Sequence, residues 1–312
     1  VTVLFATLIF PGFLFVFLLG MAGEYIDRKI YARFQNRVGP PWFQPIADFI
    51  KLLSKEEIIP DCATLPIFKI APVVALTASV AAFLYTPLWS SHSLFSFNGD
   101  IIVIIYLLTI PTLAFFVGAW YSISLYPRVG ALRSITQLFA YEIPLFIVLL
   151  SPSILANTWS LSQQIAFYNR HTGYLLFNIM GFGLSLVALI GKLEKVPFDI
   201  PEAKTEIVSG GFTEYGGGLL AIIRLATNIE MIAGCSLLAA VFLPFGLNYP
   251  PVISFMLFLL KVFSLVVLCA LFHALFARIR IDQMIGLCWK YMVPLSILQT
   301  LISLVMKGVV KS

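Results

Sequence analysis

Long apolar runs separated by shorter charged stretches set the pattern of this chain. Eight runs have the ~20 apolar residues that a helix needs to cross ~30 Å of hydrocarbon. They occupy 2–22, 67–88, 101–125, 135–157, 174–191, 219–246, 252–276 and 286–306. Membrane-spanning barrel strands need only ~9–11 residues, so these lengths specify helices. Prolines inside the runs (Pro11, Pro72, Pro111, Pro144, Pro244 and Pro294) predict kinks whose freed carbonyls must find partners on neighbouring helices. One segment follows a different rule. Within 45–55, Ile46, Phe49, Ile50 and Leu53 repeat at i, i+3, i+4 and i+7, while Asp48, Lys51 and Lys55 fall off that stripe. This pattern is an amphipathic helix lying at the membrane interface. The expected fold is an all-α integral membrane protein, with eight transmembrane helices plus an amphipathic interfacial helix, in a single membrane domain over 1–312. The first run has no basic stretch ahead of it and no small-residue cleavage site, so it reads as a retained helix and not a signal peptide.

Composition sharpens this picture. The chain is 60% hydrophobic and 11% charged with a mean hydropathy of +0.97, whereas soluble domains carry ~25% charged residues. That excludes a soluble enzyme, a disordered chain and a soluble helical repeat. The net charge of +5 would raise nucleic acid as a partner of a soluble domain. Here it reads as the Lys/Arg excess that fixes topology, with no nucleic acid implied. The loops 23–66, 126–134, 192–218 and 277–285 hold thirteen Lys and Arg, against three on the other side. The first set is therefore expected in the cytoplasm, with both termini outside. The same loops hold twelve of the fifteen Asp and Glu. A face so dense in both signs suits docking to soluble partners. Four cysteines and three histidines show no spacing for a metal site, a disulfide framework or haem. No catalytic redox centre, metal or bound cofactor is expected in this chain.

Charges inside the apolar runs are the sharper functional signal, because each costs ~2.5–3.5 kcal/mol at a helix centre unless it is paired or hydrated. Glu142 lies mid-run beside Pro144. Arg224 and Glu230 share the sixth run, and Lys261 lies in the seventh. The third charged loop packs Glu194, Asp199, Glu202, Glu206 and Glu214 with Lys192, Lys195 and Lys204. Carboxylates sharing one cavity raise one another's pKa toward neutrality, and such a cluster can take up or release protons when a nearby charge changes. Solvated loop charges remain the alternative on spacing alone.

Four long signatures carry a resemblance. They are E-x-x-D-R-K-x-x-A-R-x-Q-x-R-x-G-P from Glu24, Q-P-I-A-D-x-x-K-L-L-x-K-E from Gln44, P-F-D-I-P-E-A-x-x-E-x-x-x-G-x-x-x-E-Y-x-G from Pro197, and R-x-R-x-D-Q from Arg278 with W-K-x-x-x-P downstream. Together they resemble the subunit 1 family (also called the H family) of respiratory NADH-quinone oxidoreductase, complex I, over nearly the whole chain. Related membrane-bound [NiFe] hydrogenases share the pattern. The resemblance implies a non-catalytic subunit that anchors a peripheral redox arm to antiporter-like membrane subunits and carries an acidic path between them. The resemblance implies Glu142, Asp199, Glu202, Glu206 and Glu214 in that path; the charges inside the runs and in the third loop add Glu230 to it, with Lys192, Lys204, Arg224 and Lys261 as candidate charge partners. It also implies Glu24, Asp27, Arg28, Arg33, Arg37 and Asp48 at a cavity entrance, and Arg278, Arg280 and Asp282 at the docking face. Three positions depart from the quinone-reducing members: Lys192, Lys204 and Leu225 stand where those commonly carry carboxylates. The phrase KLEKVPFDIPEAKTEIVSGGFTEYGGG is more similar to the archaeal-type hydrogenase and sulfane sulfur reductase branch. That branch implies ferredoxin-driven electron transfer, with iron–sulfur clusters, and [NiFe] in the hydrogenases, held by partner subunits, coupled to H+ or Na+ translocation. A quinone-site subunit of an NADH or F420H2 oxidoreductase is the alternative, and only there is a bound quinone expected. A free-standing secondary transporter is a more remote one, since it predicts an internal repeat that the two halves do not show.

Overall fold

A computed structural model describes residues 2–90, 93–247 and 249–311; the side chains of Thr2, Val3, Lys204, Thr205 and 309–311 are outside that description. Among the described residues the chain is helical, without strands. Its order is α1 (Thr2–Leu8), α2 (Phe13–Phe34), α3 (Gln44–Leu53), α4 (Leu65–Leu84), α5 (Asp100–Trp120), α6 (Leu125–Ala156), α7 (Leu161–Arg170), a 3-10 turn (Thr172–Asn178) leading into α8 (Ile179–Lys192), α9 (Lys204–Ile207), α10 (Gly217–Phe242), α11 (Pro251–Leu275), α12 (Ile281–Leu287), a π-helical turn (Cys288–Met292) and α13 (Val293–Lys311). Eight helical segments among them are long and apolar enough to cross a membrane. The amphipathic stretch is the separate helix α3, as its periodicity predicts.

Three of the charged loops are shorter than the hydropathy pattern implies. Residues 23–34 continue α2, so Glu24, Asp27, Arg28 and Arg33 are helical. Residues 126–134 are the opening turns of α6, and the connector before it is only 121–124. Much of 277–285 is α12. Each segment holds enough charge to break an apolar window, yet the helix continues through the first two and resumes at Ile281 in the third. Hydropathy reads charge, whereas a helix ends only where backbone or capping demands it. The amphipathic α7 was also absent from the run pattern, because its ten residues are too few and too polar to span.

Helix α10 is the axis of the bundle. Nearly all its side chains are buried, and it packs on α2, α3, α4, α5, α8 and α11. Small residues allow this: Ala221, Ala226, Ala233, Gly234, Ser236 and Ala239 let neighbouring backbones approach closely, the device that replaces hydrophobic force between helices in lipid. A Cβ at Gly234 would collide with Leu189 Cδ1 on α8. A second packing unit shows how a helix with an internal proline is satisfied. Pro72 has no N–H for the carbonyl of Phe68, four residues back on α4. That carbonyl instead accepts from Tyr215 Oη at 3.2 Å, and the two rings stack 4.1 Å apart. Gly118 of α5 makes room for the hydroxyl, since a Cβ there would overlap it.

Candidate functional site

Charged side chains gather at the end of the bundle where α2, α8 and α10 meet the connectors 35–64 and 193–216, in three adjoining groups. The first is the crossing of α2, α3 and α10. Arg28 pairs with Glu24 one turn earlier and with Asp48 of α3, 2.7 Å away. Gln44 donates to the other oxygen of Asp48 at 2.8 Å, and Asn228 of α10 donates to Glu24 at 2.5 Å. One guanidinium thus ties the interfacial helix to the bundle. The Arg28 and Gln44 bonds and the charges of Arg28 and Arg224 hold the Asp48 carboxyl below the usual range, although partial burial pulls it the other way. Arg224 therefore faces this crossing and not Glu230. Arg33 and Arg37 are exposed, with no ion pair among the described residues.

The second group lies deeper. Asp27 of α2 pairs with Lys195 at 2.7 Å, and its other carboxylate oxygen lies 4.0 Å from His273 Nδ1 of α11. His273 stacks on Tyr31, with ring centres 4.2 Å apart, and Lys195 Nζ also touches Met231 Sδ at 3.0 Å. At the C-terminus of α8, Lys192 meets Glu230 of α10 at 3.4 Å, with side chains 2% and 4% exposed. That separation exceeds a charge-assisted hydrogen bond, and neither Lys192 Nζ nor Glu230 Oε1 has a hydrogen-bond partner among the described residues. Lys192 lies 5.8 Å from the centre of the Tyr141 ring, and its charge also acts on Glu142, the next residue of α6. One cation therefore serves carboxylates on two helices. Glu142 Oε1 is buried without a hydrogen bond.

Just past α8, Glu194 accepts from Ser134 of α6 at 2.5 Å. Its backbone is left-handed, φ 50°, an uncommon state for a residue with a Cβ, and one that turns the side chain back toward α6. Burial, with the charges of Glu202, Glu230 and Asp199, pushes its carboxyl up to about 8. Asp199 and Glu202 are half-buried in the same connector. The helix end is fixed by Gln137, which donates to Gly191 O at 2.7 Å.

The third group is on the surface. Glu206 is gripped by Arg133 at 2.6 Å and Arg278 at 3.3 Å, and the Arg133 bond lowers its carboxyl. With Arg280 and Asp282 these residues line an open polar depression of about 360 Å³. Two expected residues lie apart from these groups. Glu214 is half-buried next to Tyr215, with no ion pair among the described residues. Lys261 sits at the opposite end of the bundle, where it donates to the Leu243 and Phe245 carbonyls at 2.9 and 2.8 Å and caps α10, so it joins none of the carboxylates. The Lys204 side chain is outside the described residues. Ser134, Gln137, Asn228, Lys195 and His273 belong to these groups although the sequence did not single them out as site residues. Only Lys195, in a charge-dense loop, carried a local signal.

The family profile described as NADH dehydrogenase matches residues 6–304. The chain belongs to that family. Curated relatives include the NADH-quinone oxidoreductase H subunit of Carboxydothermus hydrogenoformans, 31% identical over 91% of this chain and 83% of the relative, and the second such H subunit of Geobacter metallireducens, 32% identical over 96% and 93%. Among solved structures, a chain of the membrane-bound sulfane sulfur reductase, an archaeal respiratory membrane complex, superposes with a TM-score of 0.86. It is 23% identical, and the match covers 97% of this chain and all of that one. The protein is thus a membrane subunit of a complex I-like, multisubunit respiratory complex, and it shares its fold with the sulfur-reductase chain.

Proposed function

We propose that this chain is the membrane anchor and coupling subunit of a ferredoxin-driven complex of the hydrogenase or sulfane sulfur reductase type. A peripheral arm with iron–sulfur and hydrogenase-like subunits docks on the charged connectors, which face the cytoplasm. Antiporter-like membrane subunits translocate H+ or Na+ in response to electron transfer in that arm. The observation that carries this reading is the buried Lys192–Glu230 pair, adjoining Glu142 on one side and the Glu194 connector on the other. Charges in so dry a place respond strongly to one another, because little water screens them. A change of charge beside the connector shifts the balance at Glu194. That shift passes to Glu230 and Lys192, and from Lys192 to Glu142 inside the bundle. The chain relays charge and performs no redox chemistry itself.

Purification of the intact complex from native membranes tests the assignment. Co-purification of NiFe-ligating or related iron–sulfur subunits with antiporter-like subunits, and reduction of protons or sulfur compounds by reduced ferredoxin, are expected. A chain that purifies without partners contradicts it. The names of the curated relatives favour a second reading, a quinone-site subunit beside the Glu24–Arg28–Asp48 crossing. Within this chain the cavity at that crossing holds about 10 Å³, roughly the space of one water, so a quinone there would need walls from partner subunits. Stoichiometric quinone in an organic extract of the complex would decide for the second.

A further inference from the structure

Of the five carboxylates in the third charged loop, Glu194 alone is not placed in the acidic path by the family resemblance, and a small cavity lies beside it. The cavity sits between the end of α5, the opening turns of α6 and the 193–216 connector. Its volume is about 10 Å³, the space of one water. A water held there needs several polar partners, and the lining residues Glu194, Ser134, Pro201 and Gly211 supply them. Ser134 donates its one hydroxyl proton to Glu194 Oε1, which leaves the hydroxyl free to accept and Glu194 with a second oxygen. The Gly211 N–H and the Pro201 carbonyl make no backbone hydrogen bond among the described residues. Backbone donors away from bulk solvent are matched by water where protein offers no acceptor. A Cβ at Gly130 would lie 2.5 Å from Gly211 N, so α6 meets the connector backbone to backbone beside the cavity. Phe115 and Phe212 meet edge to face, 5.4 Å apart, and close its apolar side. Glu194, Gly211 and Phe212 are half-buried, so the cavity keeps a mouth at the charged end of the bundle. Burial of the carboxyl and the negative charges of Glu202, Glu230 and Asp199 favour the protonated form of Glu194.

We infer that this cavity binds a single water through which Glu194 exchanges its proton with bulk solvent. The water accepts from the Gly211 N–H and hydrogen-bonds the second oxygen of Glu194. On uptake, a proton from bulk passes through the water to the carboxylate. On release, the carboxyl O–H bond breaks and the proton returns by the same water to bulk. Glu194 is then the port at which the charge relay gains and loses protons. That role rests on the coupling function proposed above, whereas the water and its exchange do not.

The test uses the whole complex at rest, without electron transfer, so its outcome is separate from that of the coupling reading. Infrared spectra at mildly acid pH follow the carboxylic C=O band that Glu194→Gln removes, as ordinary water is exchanged for heavy water. The wild-type band is expected to shift as soon as the solvents mix. In Ala131→Val, whose added methyl groups fill the cavity, the shift is expected to be roughly tenfold slower or more, because exchange then waits on local opening. A high-resolution map of the wild-type complex is expected to show one water within hydrogen-bond distance of Glu194 and Gly211 N. The map and the wild-type spectrum need no variant to fold. A cavity without water, a wild-type band that is absent or unshifted after hours, or a folded Ala131→Val complex that exchanges as fast as wild type would each overturn the inference.

Discussion

Replacing Lys192 by Met removes the one ammonium set against Glu230 and leaves that carboxylate almost fully enclosed. At 3.4 Å and an effective dielectric of about 20, the lost attraction is about 5 kcal/mol. Measured losses on breaking buried pairs run to ~3–5 kcal/mol, so the expected cost lies in that range. Glu230→Gln should cost less, because Lys192 keeps Glu142 as a partner. The double variant, Lys192→Met with Glu230→Gln, removes the orphaned Glu230 charge but still takes the cation from Glu142, so it should recover only part of the single-variant loss. A double-mutant cycle on the purified complex, reading denaturant-induced loss of this subunit, gives the coupling term directly. If the single changes add and the coupling is near zero, the pair is hydrated and the reasoning about a dry charge relay fails.

Gly118→Ala forces a methyl onto Tyr215 Oη and should cost about 2 kcal/mol in the same assay, with most of the loss recovered in a Tyr215→Phe background. Arg28→Met unties α3 from α2 by removing the partner of Asp48; the pair is one-third exposed, so the cost is only about 1 kcal/mol, and it should show as faster proteolysis within 35–43 while the rest of the chain stays protected. Glu194 titrates near 8 in the folded protein, above its unfolded value, so the native state binds more protons between about pH 4.5 and 8. Its contribution therefore falls as pH rises through that window and is flat above it. Glu194→Gln should remove that slope, and an infrared band of a protonated carboxyl should fade near pH 8 in wild type and be absent from the variant.

The fold was legible because lipid imposes a simple rule: every crossing needs a long apolar helix, and each of the eight was visible as one. Its helix ends were not. Arg128 and Arg133 interrupt hydropathy in the first turns of α6 without interrupting the helix, and Glu24 to Arg33 do the same at the end of α2. Of the candidate site, charge in an apolar run marked Glu142 and Glu230, and Lys192 stood out as a cation in place of a carboxylate. Which groups meet was not written locally. Asp27 reaches Lys195 across 168 residues, and Glu24 reaches Asn228 across 204. Lys261 shows the limit from the other side: an intramembrane lysine can be satisfied by backbone carbonyls at a helix end, and sequence cannot tell this from an ion path. Ser134 and Gln137 gave no signal at all, being ordinary polar residues that matter only because α6 places them against the end of α8.

The central claim is that charge buried between the helices carries the effect of electron transfer to the ion-moving subunits. Its most direct test is the number of ions translocated per electron by the complex in sealed proteoliposomes, with wild-type Glu142 and with Glu142→Gln. The account predicts that electron transfer continues in the variant while the ratio falls severalfold or to zero. A wild-type ratio in the variant would contradict it.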